Sequence, residues 1–235
     1  MEYQLEAELV YEFMREGARS PAYSSIVGGG ANSCILHYTD NKAELKDGDV
    51  VLIDAGAEYD SYASDITRTF PVNGVFSNAQ KDIYEVVLEA QLAAIEAVQP
   101  GNHWNDPHQA AVRVITEGLV SLGILKGRVR SLIKDHAYAK YYMHRTGHWL
   151  GMDVHDVGDY KLDGEWRMLE PGMVLTIEPG LYMAAGRGLA KKWWDIGVRI
   201  EDDVLVTKDG YDVLSKDMPK TIDAIETLMA ADKAA

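Results

Sequence analysis

Four carboxylates and one imidazole stand in strand-like, apolar surroundings: Asp54, Asp65, Glu178, Glu201 and His148. An acid at the end of a buried strand is costly unless a hydrogen-bond network or a metal ion compensates it. Five such residues in one chain are better explained by one shared cation site than by five separate accommodations. Carboxylates with a single imidazole suit Mn2+, Zn2+, Co2+ or Fe2+, and the lack of thiolate ligands disfavours a structural zinc. Four acids exceed the need of one catalytic ion, whereas two bridging acids could neutralise a pair of ions ~4 Å apart. Such a pair lowers the pKa of a shared water, whose proton Glu178 could take as general base. Surrounding histidines could donate hydrogen bonds to an oxyanion.

Two of these acids close the same local pattern. Leu45 to Gly56 and Leu169 to Gly180 both read Leu-x-x-Gly-x-Val-x-x-Ile-acid-x-Gly, the acids being Asp54 and Glu178. Each copy is a turn, then a short apolar strand, then a carboxylate followed by glycine. The repetition predicts two similar half-folds whose strand ends bring Asp54 and Glu178 together. Asp65 lies in the polar and aromatic run from Glu58 to Phe70, a β-ribbon whose return could carry it to the site of Asp54. His144, His148 and His155 fall at intervals of four and seven, with Gly147 and Gly151 favouring irregular or extended chain over a helix. Arg199 and Glu201 alternate onto one face of a strand pattern over 196–203.

The remaining elements frame these. Apolar Leu5, Leu9 and Phe13 predict an amphipathic helix over 3–16, stopped by Gly17. Gly28, Gly29 and Gly30 lack phosphate-loop spacing and read as close-approach or flexible backbone. A strand is expected over 34–38, with His37 in it. Ser77 and Gln80 form a capping box ahead of a helix over 78–98. Asp106-Pro107 predicts the start of another, running to Gly123. A basic, tyrosine-rich helix or loop follows over 126–142, and a short helix over 219–231 closes the chain. His103, His108 and His136 take surface or capping roles. Alternating helices and strands, arranged twice, give an α/β or α+β class with internal pseudo-symmetry.

Charge and composition narrow the partners. A net charge of −14 with no Lys/Arg cluster excludes nucleic acid. The first turns carry Glu2, Glu6, Glu8, Glu12 and Glu16, which is unlike a signal peptide or a membrane span. The single Cys34 fits a reducing compartment, so a cytoplasmic protein is expected.

The stretches Asp54 to Thr69, His144 to Asp156, Thr176 to Tyr182 and Gly197 to Asp203 together resemble the pita-bread metallopeptidases, and within them the Xaa-Pro aminopeptidases and prolidases. The resemblance spans nearly the whole chain. It implies an α+β pita-bread fold, with two pseudo-symmetric αβ halves around a curved, mostly antiparallel sheet. Residues 1–235 would form a single catalytic domain without the family's usual N-terminal domain. It implies two divalent cations, Mn2+ being typical, with Asp54 on one ion, Asp65 and Glu201 bridging both, and His148 and Glu178 on the second. Glu178 would also act on the bridging hydroxide. His37, His144 and His155 match substrate- and transition-state-binding histidines, and Tyr182 and Arg199 match residues near the substrate and the metal carboxylates. The implied reaction removes an N-terminal residue from a peptide with proline second. A prolidase limited to dipeptides and an impaired pita-bread module that binds a protein are the alternatives. Assembly into a homo-oligomer is open.

Overall fold

The computed structural model describes residues 1–231. The first half runs α1 (Glu2–Arg15), β1 (Ser20–Pro21), β2 (Ile26–Gly29), a 3-10 turn (Gly30–Cys34), β3 (Val50–Ala55), β4 (Ala57–Tyr59), β5 (Tyr62–Ala63), β6 (Ile66–Pro71) and α2 (Asn78–Glu96). The second half runs α3 (Asn105–Ser121), α4 (Val129–Lys134), β7 (Lys161–Leu162), β8 (Glu165–Trp166), β9 (Val174–Ile177), β10 (Gly180–Met183), β11 (Ile196–Arg199), β12 (Asp202–Val206), β13 (Tyr211–Val213) and α5 (Ile222–Ala231).

Every strand pairing among the described residues is antiparallel. In the first half β3 lies between β2 and β6. In the second, β9 lies between β12 and an isolated bridge from Trp149 to Leu175. The two halves therefore repeat one arrangement, in which an acid-tipped strand is flanked on both sides. Asp54 is next to last in β3, and Glu178 directly follows β9. Asp65 directly precedes β6 just as Glu201 directly precedes β12. The halves are stitched together where the Glu201 amide donates to Thr67 O on β6 at 3.1 Å.

Helices α2 and α3 pack against each other, and α2 reaches β9, β10 and β11. Ile83, Val87, Ala90, Ile115, Leu119, Leu175, Leu181, Val198 and Val204 share one buried core that joins both halves. The capping box forms as the spacing predicts: Gln80 N donates to Ser77 Oγ, and the side-chain Gln80 Oε1 accepts from Ser77 N. These elements make the α+β pita-bread fold.

Several local expectations change. Residues 34–38 are no strand: Cys34 ends the 3-10 turn and His37 stands in the exposed turn after it. Ser33 Oγ accepts from Gly197 N on β11 at 2.8 Å, so this loop packs by side chain and not by strand pairing. Helix α3 starts before Asp106, whose carboxylate accepts from the His103 amide inside the first turn. The 196–203 pattern divides into β11 and β12, because the chain leaves its partner β10 at Arg199 and joins β9 from Asp202. The 126–142 region contains both α4 and a second 3-10 turn, Ala137–Lys140.

Candidate metal centre

The ends of β3 and β9 and the starts of β6 and β12 meet at one cavity of about 520 Å3. Asp54, Asp65, His148, Glu178 and Glu201 all line it, together with His37, His144, His155 and Arg199. Tyr182 stands behind this wall, buried, and touches it through His144 and Arg199. His148 arrives on an extended segment and not on a helix. Gly147 allows this, since a Cβ there would fall on the carbonyl of Thr176 in β9. The His148 and Thr176 backbones consequently bond to each other, with Thr176 N donating to His148 O at 3.0 Å.

Ligand atoms of Asp65, His148 and Glu201 all lie within 4.8 Å of one another, so these three could hold a metal ion. His148 Nε2 is 3.3 Å from Asp65 Oδ2 and 3.7 Å from Glu178 Oε1. Its Nδ1 lies 2.9 Å from Trp149 O. A carbonyl only accepts, so in the neutral ring Nδ1 carries the proton and Nε2 turns its lone pair toward two carboxylates. That is repulsive unless a cation or a proton stands between them. The same tension recurs at Tyr23, whose hydroxyl lies 2.5 Å from Oδ1 of both Asp54 and Asp65. One phenolic proton cannot serve both acids.

Desolvation acts on Asp54, His148, Glu178 and Glu201. Burial lifts Glu178 to about 7 against the pull of His148 and Arg199. Burial and the adjacent acids hold Glu201 well above the carboxylate range. Burial also raises Asp54, although Arg199 opposes it with Nη2 2.6 Å from Asp54 Oδ2. For His148, burial favours the neutral ring, but Asp65 and Glu178 more than reverse it. Among the described residues, four carboxylates thus face one cavity, and Arg199 pairs directly with one of them, Asp54. An oxygen-rich set with one imidazole nitrogen suits divalent cations, which would relieve this crowding.

Behind the acids runs a chain of donors. Arg199 Nη1 donates to Tyr182 OH at 3.0 Å, and Tyr182 OH lies 2.8 Å from His144 Nε2. His144 Nδ1 donates to Arg145 O at 2.7 Å, so Nε2 accepts from the tyrosine. Burial keeps His144 neutral by lowering it to about 3. Arg199 Nε also donates to Thr67 Oγ1, which in turn donates to Glu201 Oε2 at 2.6 Å. His155 packs edge-on to His148, ring centres 4.2 Å apart, at the exposed side of the cavity.

Some site residues carried no decisive signal in the sequence. Thr67 had one: it is two positions after Asp65, on the same face of the strand. Tyr23 had none, since it comes from an irregular segment before β2. Trp104, Tyr160 and Trp166 complete the cavity wall and come from α3's N-terminus and the β7–β8 region.

His108 also departs from its expected surface role. Its Nδ1 lies 2.8 Å from Thr146 Oγ1, which contacts Tyr142 OH at 2.5 Å. Burial lowers His108 from the usual 6.5 to about 4, with Arg145 adding to the effect. The folded protein therefore binds fewer protons here than the unfolded chain between those values. The stabilising contribution is complete above pH 6.5 and is lost as pH falls toward 4. His108→Gln should flatten the decline of the melting temperature across that window, as followed by circular dichroism.

The chain matches metallopeptidase family M24 over residues 1–208. It is 54% identical over 228 residues to the Xaa-Pro aminopeptidase of Haemophilus influenzae, covering 97% of this chain and 53% of that protein. To the Xaa-Pro aminopeptidase of Escherichia coli it is 52% identical over 230 residues, covering 98% and 52%. Aminopeptidase PepP of Pseudomonas aeruginosa shares its structure with a TM-score of 0.99 at 62% identity, covering 100% of this chain and 53% of that one. The chain thus spans about half the length of these relatives. With the M24 match, the repeated half-folds and the acid-lined cavity between them agree on one conclusion: the chain belongs to metallopeptidase family M24.

Proposed function

We propose that this chain hydrolyses the bond between an N-terminal residue and a following proline, as an Xaa-Pro aminopeptidase using two divalent cations. The convergence of Asp54, Asp65, His148, Glu178 and Glu201 on one cavity carries this reading. The names of the relatives support the choice of substrate. Asp54 would hold one ion, Asp65 and Glu201 both, and His148 and Glu178 the other. We assign Mn2+ to these positions because oxygen donors dominate the set. Both halves contribute ligands, so we read residues 1–231 as parts of one catalytic domain. No helix among the described residues is long and apolar enough to cross a membrane. We place the protein in the cytoplasm, where the Cys34 thiol suits a reducing environment.

The cations, once bound, would polarise the scissile carbonyl and make water more acidic. The protein's own groups would do the rest. The Glu178 carboxylate lies 3.7 Å from His148 and 3.8 Å from His144, at the centre of the cluster, where it can accept the proton of the attacking water. The proline nitrogen carries no hydrogen before cleavage and must gain one to leave, and the same carboxyl can return it. Arg199 holds Asp54 and, through Tyr182, orients His144. His37 and His155, both exposed at the cavity, would contact the peptide.

The test is hydrolysis of Ala-Pro-Ala beside Ala-Pro, with added Mn2+ and with chelator. Metal-dependent cleavage of the tripeptide is expected. Cleavage of the dipeptide alone would make the protein a prolidase. Cleavage of neither, with metal bound, would make it a binding module. His37→Ala and His155→Ala should each lower kcat about tenfold or more with metal content unchanged by elemental analysis. Loss of metal in either variant would move that histidine out of the substrate shell.

A further inference from the structure

We propose that Arg145 is a specificity-determining residue that receives a carboxylate on the residue following the substrate's proline. The inference rests on the aminopeptidase reading above and deepens it. Two arginines line the cavity, Arg145 and Arg199. Arg199 is committed to Asp54 and Tyr182. Arg145 has no carboxylate partner among the described residues. Its Nη2 donates to the neutral Asn105 Oδ1 at 2.6 Å, and its guanidinium stands 4.8 Å from the centre of the Trp166 ring. In a chain with 37 acidic and 23 basic residues, an arginine held only by neutral partners keeps its full charge for a ligand.

The surroundings point the same way. Lys161, paired with Trp166 across β7 and β8, puts its ammonium 4.3 Å from the same ring. A second cation at the same indole adds positive charge beside Arg145. Asn105 uses one of five guanidinium N–H donors, which leaves a fork able to bind a carboxylate through two parallel bonds. Its stacking on Trp166 fixes the fork in advance, so little side-chain freedom is lost when a ligand arrives.

The position matches a particular part of the substrate. Arg145 directly follows His144, whose ring is 3.8 Å from Glu178. In an extended peptide, each residue advances the chain by about 3.3–3.6 Å. The residue after proline is therefore two steps, about 7 Å, beyond the scissile bond, within the cavity that Arg145 lines together with the acids. A dipeptide would end before reaching it.

Ala-Pro-Ala and its C-terminal amide, together with Ala-Pro-Glu-amide and Ala-Pro-Gln-amide, separate the two sources of a carboxylate. With the Mn2+-loaded chain, one acid-to-neutral ratio of kcat/KM should be about tenfold, and Arg145→Ala should bring that ratio near one. A terminal carboxylate as ligand shows in the first pair, and a side-chain carboxylate in the second. Arg145→Lys should keep an intermediate ratio, because it retains charge without the fork. Asn105→Asp should also lower the ratio, since it retains the tether but gives Arg145 an internal acid. Ratios unchanged in Arg145→Ala and Asn105→Asp would overturn the proposal and reduce Arg145 to a strut between its loop and α3. If the parent protein cleaves none of the four peptides, the aminopeptidase reading itself fails, and this inference falls with it.

Discussion

Glu178→Gln should lower kcat on Ala-Pro-Ala by about three orders of magnitude, in line with the 10²–10⁴-fold contribution of a positioned general base. The amide is nearly the same size and keeps one oxygen donor, so most of the bound metal should remain. The main chain at this point is held independently, with Glu178 N donating to Thr146 O at 2.7 Å. The measurement pairs steady-state kinetics with elemental analysis of the same sample. Preserved turnover would remove Glu178 from the base role. Parallel loss of metal and turnover would mean that the carboxylate matters for holding cations and not for moving protons.

The second large effect concerns a pair remote from the substrate. Arg68→Met should destabilise the protein by roughly 3–5 kcal/mol, the usual cost of removing one partner from a buried ion pair. Arg68 is buried on β6, and all of its nitrogens are engaged. Nη2 meets Asp202 Oδ1 at 2.7 Å, Nε meets Pro219 O, and Nη1 meets both Thr67 O and Glu201 O. Burial alone would raise Asp202, yet Arg68 and Lys220 hold it below the ordinary carboxylate range. Without the guanidinium, four backbone carbonyls (Thr67, Glu201, Met218 and Pro219) lose a donor and Asp202 keeps Lys220, Gln91 and Ser215. For a chain of this size the loss corresponds to a fall in Tm of roughly 10 °C. Urea unfolding of the metal-free protein measures it without interference from cation binding. A change under 1 kcal/mol would show that the pair contributes to specificity of packing and not to stability. Because Nη1 holds the backbone of both Thr67 and Glu201, the variant should also impair the cavity acids, and Arg68→Lys should restore only part of each property.

The local chemistry of the site was readable without coordinates. The two Leu-x-x-Gly-x-Val-x-x-Ile-acid-x-Gly segments each encode a turn, an apolar strand and a terminal acid within twelve residues, and short-range steric and hydrophobic rules suffice to fold them that way. The capping box at Ser77 is equally local and formed as expected. Arg199 and Glu201 both reach the cavity although the strand breaks between them, because the chain stays extended while it changes partner.

What the linear pattern could not hold was anything set by long-range packing. Strand propensity in 34–38 yielded to the contact of Ser33 with β11, 164 positions away, which turns His37 onto the cavity rim. Tyr23 meets Asp54 and Asp65 across 31 and 42 positions within the first half, and Arg68 finds Asp202 across 134 positions because the halves close on each other. His108 and Arg145 are ordinary helix and loop residues by sequence. The packing of α3 against the His144–His148 segment buries the first and stacks the second on Trp166. The sequence by itself determined which side chains would end each strand, since that depends on neighbours a few residues away. The tertiary structure alone decided which of them share one cavity and what charge they must balance, since burial and distance there come from segments far apart in the chain.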